Sequence, residues 1–371
     1  MKVAILGAGM VGRTIALDLA SSFEVTSLDV SDQNLQVLEG KSSAIQIRQA
    51  DLKQYDQYAK WLAPFDIVVT AVPGFMGFET LKAVISCGKN AADISFFPED
   101  VLSLDELAKE KNVTAITDIG VAPGMGNLIL GRYNEEFSVT NFECYVGGLP
   151  KERKKPFEYK APFSPIDVIE EYMRPARLKE NGEIVTRDAL TEREYLNFDE
   201  VGMLEAFNTD GLRSLLFTMP HIPNMKEKTM RYPGHVEQII ALKQAGFFDK
   251  DEMEIGGVKF SPLQLTSKIL LREWKLGPEE EELTVMKVIV EGERERVEYD
   301  LLDRYDPKTK TSSMSRTTGY TCTAAVNLIA KGLFKEKGVF PPELVGKNKE
   351  CFDFVLSYLK ERGVNWKKVL S

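Results

Sequence analysis

Short apolar runs alternate with segments of helical periodicity along the first 120 residues. The runs are about five residues long, the length of a strand that is buried on both faces. Between them, apolar residues recur every three or four positions, as at Val11, Ile15 and Leu19. Strands are predicted at 2–6, 25–28, 44–50, 67–71, 90–94 and 113–117. Strands that alternate with helices indicate an α/β fold with a parallel, doubly wound sheet.

The pattern changes after residue 122. Apolar and polar residues alternate around 142–146, which predicts a half-exposed antiparallel strand, and the stretches 284–291, 296–305 and 311–316 predict a three-stranded meander. Helices are expected from about residues 165, 211, 234 and 262. We therefore predict a second, α+β domain on a mixed or antiparallel sheet over 123–316. A helical stretch at 319–334 is expected to return to the first domain, which would comprise 1–122 and about 317–371.

The first strand runs directly into a glycine-rich turn. Gly7, Gly9 and Gly12 have the GxGxxG spacing of the Rossmann dinucleotide fingerprint, and Met10 and Val11 begin the helix that follows. In this motif the glycines allow a tight turn, close approach of a pyrophosphate and close helix packing, and the helix N-terminus attracts phosphate. The motif lies between a strand and an apolar-striped helix, which is the context it requires. We predict a dinucleotide site here.

Acidic and turn residues at later strand ends extend this site. Asp29 ends the second strand, where a carboxylate accepts hydrogen bonds from the adenosine ribose and repels a 2′-phosphate, so NAD is predicted over NADP. Asp51 either reaches the adenine edge or caps a turn. Ala71, Val72 and Pro73 follow the fourth strand and are expected beneath the nicotinamide.

Length and charge limit the classes of function. With 47 basic and 56 acidic residues, the 371-residue chain carries a net charge of −9, which disfavours nucleic acid and anionic membranes as partners. No apolar run approaches the roughly 20 residues of a membrane span, and a strand that begins at residue 2 leaves no room for a signal peptide, so a cytoplasmic protein is expected. Four scattered cysteines and two histidines predict no metal site.

Several short motifs, in order along the chain, resemble those of the saccharopine dehydrogenase family, and within it the lysine 6-dehydrogenases. They occupy residues 118–125, 145–150, 163–165, 205–207, 231–235 and 338–343. The resemblance implies a Rossmann domain completed by C-terminal helices, and a second domain that closes the cleft and forms a homodimer. It also implies NAD(P)-linked oxidation at a carbon that bears nitrogen. Phe96 and Phe97 depart from the glycine-rich, histidine-containing segment of the lysine 6-dehydrogenases.

Three residues are candidates for the proton chemistry. Hydride leaves an amine carbon only when the nitrogen is uncharged, so the site needs a base or must lower the pKa of the amine. Asp93 and Asp118 lie at C-terminal strand ends, where doubly wound sheets bind ligands, although either is equally a capping or turn carboxylate. His235 suits proton transfer, but its place in the first turn of a helix fits a structural role as well.

Four further residues are candidates for substrate binding. Arg231 is suited to clamp an α-carboxylate, or it is a surface cation on a strand. Glu205 is suited to bind an α-ammonium, and it is equally plausible as a solvated acid. In the family motifs, Tyr145 and Ser164 belong to stretches expected at the substrate site, and Ser164 before Pro165 is also a complete helix start.

The first functional hypothesis is therefore an NAD-dependent oxidoreductase that acts on an amino-acid CH–NH group, with lysine 6-dehydrogenase, the oxidative deamination of the lysine ε-amine, foremost. The alternatives are a saccharopine dehydrogenase or related amine–aldehyde enzyme, for which Arg174, Arg213 and Arg231 would supply the carboxylate clamps, and a protein that senses NAD without turnover.

Overall fold

The computed structural model describes residues 1–162, 165–277 and 279–369. Its strands, numbered in chain order, are β1 (Lys2–Leu6), β2 (Glu24–Asp29), β3 (Ile45–Gln49), β4 (Ile67–Thr70), β5 (Asn90–Asp93), β6 (Thr114–Ile116), β7 (Asn141–Pro150), β8 (Ala176–Glu180), β9 (Glu183–Arg187), β10 (Glu194–Phe198), β11 (Gly202–Asn208), β12 (Asn224–Arg231), β13 (Met253–Ile255), β14 (Val258–Phe260), β15 (Glu282–Glu291), β16 (Arg296–Arg304), β17 (Gly338–Phe340) and β18 (Trp366–Val369).

The helices separate these strands and pack on the sheets. They are α1 (Met10–Leu19), α2 (Asp32–Gln36), α3 (Tyr58–Leu62), α4 (Gly74–Ser86), α5 (Asp105–Glu110), α6 (Met125–Tyr133), α7 (Pro165–Met173), α8 (Leu215–Thr218), α9 (His235–Gln244), α10 (Pro262–Trp274), α11 (Ser313–Ala330), α12 (Pro342–Gly346) and α13 (Lys349–Glu361).

The first of the two large sheets is parallel and has seven strands. Its strand order is β17-β6-β5-β4-β1-β2-β3, and the strand order reverses at β1 as in doubly wound folds. The central strands β1 and β4 are apolar and buried because helices cover both faces of the sheet. The predicted Rossmann-type fold is confirmed.

The second large sheet is mixed and has nine strands. Its main path is β10-β11-β12-β7-β15-β16-β18, and β8 and β9 join beside β12. The pairing of β12 with β7 is parallel, whereas β7 with β15 and β15 with β16 are antiparallel. This is the mixed sheet that the change of periodicity predicted.

The chain returns to the parallel sheet after β16. Helix α11 packs on α1, and Asp18 of α1 accepts hydrogen bonds from Thr323, Tyr358 and Arg362. Strand β17 adds a seventh parallel strand beside β6, which the pattern did not predict.

One expectation near the C-terminus is wrong. Residues 311–316, predicted as a strand, contain the start of α11, because Ser312 caps the helix by accepting from the Ser315 amide. The third strand of the meander is instead β18, which pairs with β16 in the mixed sheet.

The residues described include no helix that is long and apolar enough to cross a membrane.

Candidate functional site

A cleft of about 1830 Å³ runs between the two sheets and is lined by residues from both. All ten residues predicted to bind the cofactor line this one cleft: Gly7, Gly9, Met10, Val11, Gly12, Asp29, Asp51, Ala71, Val72 and Pro73. They come from the loops after β1, β2, β3 and β4, which meet because the carboxyl ends of parallel strands share one edge of the sheet. We call this part the nucleotide end.

The glycine loop at the nucleotide end has no room for side chains at two positions. A Cβ on Gly7, whose φ is +109°, would lie 2.2 Å from the Ala71 carbonyl oxygen, and one on Gly12 would lie 2.1 Å from the Gly7 carbonyl oxygen. A Cβ on Gly9 would meet nothing within 4 Å, so this position opens into the cleft. No side chain caps the N-terminus of α1. The loop thus fits a dinucleotide, whose pyrophosphate would be held by the first amides of α1.

Asp29 is held rigidly at the end of β2. Its two carboxylate oxygens accept hydrogen bonds from the amides of Ala8, at 2.6 Å, and Ser31, at 2.7 Å. Asp51 accepts from the amide of Lys53 and remains exposed, so it both caps a turn and borders the cleft.

The other part of the cleft, which we call the substrate end, is lined by charged residues from several elements. They are Asp118 after β6, Asp167, Glu171 and Arg174 on or next to α7, Asp210 after β11, and Glu227 and Arg231 on β12. Glu227, Thr229 and Arg231 all line the cleft because alternate residues of a strand point to the same face.

Asp118 is fixed by a buried ion pair. Its carboxylate accepts from Arg213 Nε at 2.8 Å, and Arg213 Nη1 donates to the Phe97 carbonyl oxygen at 2.5 Å. The side chains of Asp118 and Arg213 are 3% and 7% exposed. Asp118 also has a φ of +52°, the left-handed region that is strained for a residue other than glycine. The arrangement holds one carboxylate at the carboxyl edge of the sheet.

The two phenylalanines after β5 have different surroundings. Phe96 lines the cleft, and the guanidinium groups of Arg174 and Arg213 lie 5.5 and 4.9 Å from its ring centroid. Phe97 is fully buried in the core beneath α4. Only Phe96 therefore faces a ligand.

Arg231 lies at the centre of a buried polar cluster. Its Nε donates to the Tyr172 hydroxyl at 2.9 Å, and Nη2 lies 3.4 Å from a Glu171 carboxylate oxygen. Burial raises the pKa of Glu171 to about 7, although the nearby Arg231 opposes the rise. Glu171 therefore titrates near neutral pH, as a proton acceptor for such chemistry should.

Glu227 presents its carboxylate to the cleft. It is 5% exposed, and no residue in the described ranges forms a hydrogen bond or an ion pair with its carboxylate. Burial, and after it the nearby carboxylates of Glu171 and Asp210, raise its pKa to about 8.

Four of the predicted catalytic and substrate residues do not line the cleft. Asp93 is fully buried and accepts from Thr70 and from the Ser95 amide. Tyr145 bonds Glu143 and Glu194 on the opposite face of the mixed sheet, since the neighbouring Val146 takes the cleft face. Glu205 accepts from Arg193 and the Gly234 amide. Of the predicted set, Asp118 and Arg231 line the cleft, and Ser164 lies outside the described residues.

His235, the fourth of these, is a core residue. Its ring bonds the Tyr172 hydroxyl at 2.9 Å and the Phe157 carbonyl at 3.0 Å, among four aromatic rings. Burial and Arg231 lower its pKa to about 3. The ring positions Tyr172, which in turn contacts Arg231.

Sequence reasoning missed Glu171, Glu227 and Asp210 as parts of the site. The signal for Glu227 was available, because residues 227, 229 and 231 share a face of any strand that carries Arg231. Glu171 gave no such signal, since its place depends on how α7 packs on the mixed sheet. The residues described contain no group of three or more His, Cys, Asp or Glu side chains that could hold a metal ion.

We expect His235→Leu to lower the free energy of unfolding by about 1–3 kcal/mol, because two buried hydrogen-bonding groups lose a partner. The folded-state pKa lies below the usual 6.5, so the wild type should lose stability as the pH falls from about 6.5 to about 3, and the variant should lose less over that window. Urea unfolding at several pH values measures both effects. An activity inflection near pH 6.5 that this substitution removes would contradict the structural role.

The sequence matches two domain profiles over most of its length. Residues 3–116 match the saccharopine dehydrogenase NADP binding domain, and residues 120–364 match the saccharopine dehydrogenase C-terminal domain.

Curated relatives have low identity to the chain. It is 24% identical to the NADP(+), L-glutamate-forming saccharopine dehydrogenase of Schizosaccharomyces pombe, over 68% of this chain and 59% of that protein. It is 25% identical to the alpha-aminoadipic semialdehyde synthase of Arabidopsis thaliana, over 68% of this chain but 27% of that protein. Carboxyaminopropylagmatine dehydrogenase of Synechocystis is 20% identical over 100% of this chain and 98% of its own length.

The chain thus spans between about a quarter and three fifths of the saccharopine dehydrogenases and semialdehyde synthases that it matches. Among solved structures, the apo L-Glu-forming saccharopine dehydrogenase of Saccharomyces cerevisiae has the same fold, with a TM-score of 0.79 and 19% identity over 100% of both chains. Because two profiles of one family together cover nearly every residue, the chain belongs to the saccharopine dehydrogenase family.

Proposed function

We propose that this protein is a nicotinamide-dependent oxidoreductase that acts on a carbon–nitrogen bond of an amino acid or amine. The observation that supports it best is that one cleft joins a dinucleotide-type glycine loop to a charged substrate end, with the held carboxylate of Asp118 at the sheet edge. Family membership supports the same chemistry. The bound nicotinamide would accept the hydride.

The residues of the chain would handle the nitrogen and its proton. An ammonium group must lose a proton before hydride leaves its carbon, and a carboxylate with a pKa near neutrality suits that step. We assign proton acceptance to Glu171 and orientation of the reacting nitrogen to Asp118. Arg231 is placed to clamp a carboxylate of the substrate.

Within this class, oxidative deamination of the lysine ε-amine is our first proposal. Saccharopine carries three carboxylates and would call for several arginines free to bind them. Of the three candidates, Arg213 pairs with Asp118 and does not line the cleft. Arg231 lines the cleft but already donates to Tyr172 and Glu171, so Arg174 and Arg231 together offer less than three carboxylates require. A substrate with one carboxylate fits this set better. A related amine–aldehyde enzyme is the second candidate, supported by the similarity of the chain to a saccharopine dehydrogenase and to carboxyaminopropylagmatine dehydrogenase.

We propose NAD as the preferred cofactor, on the strength of Asp29. The similarity to the saccharopine dehydrogenase NADP binding domain and to the NADP(+) enzyme of Schizosaccharomyces pombe favours NADP instead. Arg13, Lys41 and Lys53, which line the same end of the cleft, are cations that would attract a 2′-phosphate. Two amide donors fix the carboxylate of Asp29 at the end of β2. Its negative charge would repel a 2′-phosphate there.

Asp29→Ser is expected to shift the ratio of kcat/KM values for NAD and NADP about tenfold toward NADP, since the substitution removes a charge beside the ribose. Asp32→Ser, at an exposed acid three residues later that does not line the cleft, serves as the control. An unchanged ratio in Asp29→Ser would count against the proposed role of Asp29 in cofactor choice.

The function itself is tested by following nicotinamide reduction at alkaline pH with NAD and NADP against lysine, saccharopine, diamines and ω-amino acids. Activity with lysine and not saccharopine is the expected result. Bound dinucleotide without reduction by any amine would refute the enzyme and favour a sensor.

A further inference from the structure

The substrate end contains more carboxylates than its cations neutralise. Asp118 pairs with Arg213, Asp210 pairs with Arg177 through two hydrogen bonds of 2.9 Å, and Glu171 lies 3.4 Å from Arg231. Asp167 is not without a partner in the chain either. Glu227 also lines the cleft, but the described residues supply its carboxylate with no hydrogen-bond donor and no ion-pair partner.

The backbone around Glu227 holds its carboxylate against the cleft wall. A Cβ on Gly211 would lie 1.7 Å from Glu227 Oε1, so the glycine leaves the space that the carboxylate fills. Glu227 lies on the same face of β12 as Thr229 and Arg231, which also line the cleft. The carboxylate opens to the cleft and receives no hydrogen bond from the described residues, so a ligand in the cleft can supply the donor.

We propose that Glu227 binds a second cationic nitrogen of the substrate, distinct from the nitrogen that is oxidised. This rests on the proposed function, and it narrows the substrate class to diamines and basic amino acids, with a positive charge at the end that does not react. A substrate with a carboxylate in place of this second nitrogen would be repelled by the carboxylates of Glu227 and Asp210. An ammonium or guanidinium group would supply the donors that Glu227 lacks.

The titration of Glu227 supports the assignment. Its carboxylate faces Glu171 of α7, Asp210 after β11, Asp118 after β6 and Arg213, and the raised pKa of about 8 leaves it largely protonated at neutral pH. A cation binds the deprotonated form, so the affinity for a diamine should rise as the pH increases through about 8 and level off above it, beyond any change for a monoamine.

The test compares three compounds of one chain length in calorimetric titrations of the full chain with its reduced cofactor. Cadaverine carries a second ammonium, 5-aminovalerate a carboxylate, and 5-aminopentanol a neutral hydroxyl. We expect cadaverine to bind about tenfold more tightly than the other two, because a charged hydrogen bond is worth at least that factor. Glu227→Gln should weaken cadaverine about 10-fold to 100-fold and leave the other two within about twofold. Glu183→Gln, at an exposed acid of β9, is the charge-matched control.

Equal weakening of all three compounds in Glu227→Gln would overturn the inference, since Glu227 would then hold the reacting nitrogen. Equal binding of the three to the wild type, or no binding of cadaverine, would overturn it too, and this comparison decides even if the variant fails to fold. The oxidation assay tests the proposed function separately from the cation site. If cadaverine is preferred but no amine is oxidised, the enzyme proposal is wrong and the cation site stands. If an amine is oxidised but cadaverine is not preferred, the cation site alone is wrong.

Discussion

Asp118→Asn is expected to lower kcat/KM for the amine substrate by at least about 100-fold, the scale on which positioned acid–base and charged groups act. The carboxylate is held at the sheet edge by Arg213 and lines the cleft, so a neutral amide there would no longer stabilise or orient a cationic nitrogen. Steady-state rates measure the effect, and titration with the dinucleotide should show unchanged affinity because Asp118 is not at the nucleotide end.

Two further variants separate chemistry from folding in that experiment. Removing one partner of a buried ion pair is destabilising, so Asp118→Asn must be compared at a temperature where it remains folded. Arg213→Lys keeps the positive charge but loses the planar donor pair, and we expect an intermediate loss of activity. Asp199→Asn, at an exposed turn residue, controls for the charge change. Full activity in Asp118→Asn would rule out its assigned role.

Glu171→Gln is expected to lower kcat/KM by about 100-fold or more near pH 8 and to remove an inflection near pH 7 from its pH profile. The pKa of Glu171 is raised to about 7, so the wild-type base is deprotonated, and active, above that pH and becomes protonated below it. Activity should therefore fall as the pH drops through 7 in the wild type. Glutamine cannot accept the proton, so that fall should be absent from the variant's residual activity.

The neighbouring Glu170 offers a matched control on the same helix. Glu170 is exposed, and Glu170→Gln makes the same change of charge one residue away. We expect it to retain the wild-type rate and pH profile. An inflection near pH 7 that persists in Glu171→Gln would assign the base to another group.

At the nucleotide end, the local sequence pattern determines where the residues lie. Gly7, Gly9, Gly12 and Asp29 are placed by one strand–loop–helix–strand segment, and their geometry follows from the spacing of glycines and apolar residues within thirty positions. The residues after β3 and β4 follow from the same rule, because parallel strands end at one edge. The position of these residues along one cleft was therefore predictable from the sequence, and their binding of a dinucleotide stays a prediction.

The substrate end was predicted only in part. Arg231 and Asp118 were identified, but Asp93, Tyr145, Glu205 and His235 point elsewhere. For Tyr145 the reason is the alternation of side chains along β7: neighbouring residues point to opposite faces of the sheet, and Val146 takes the face toward the cleft. For His235 it is packing, because α9 buries its first turn against Tyr172, Tyr159 and Trp274. Short family motifs mark a neighbourhood without showing which side chain faces the ligand.

The sequence by itself therefore determined the parallel and the mixed sheet, the glycine loop and the family, because these depend on periodicity and spacing over short stretches. Only the tertiary structure decided which carboxylates meet at the substrate end. Glu171, Asp210 and Glu227 come from a helix, a loop and a strand, and Asp118 from the other sheet. Their burial, pairing and altered pKa values arise from how the two sheets enclose the cleft, and no local pattern encodes that enclosure.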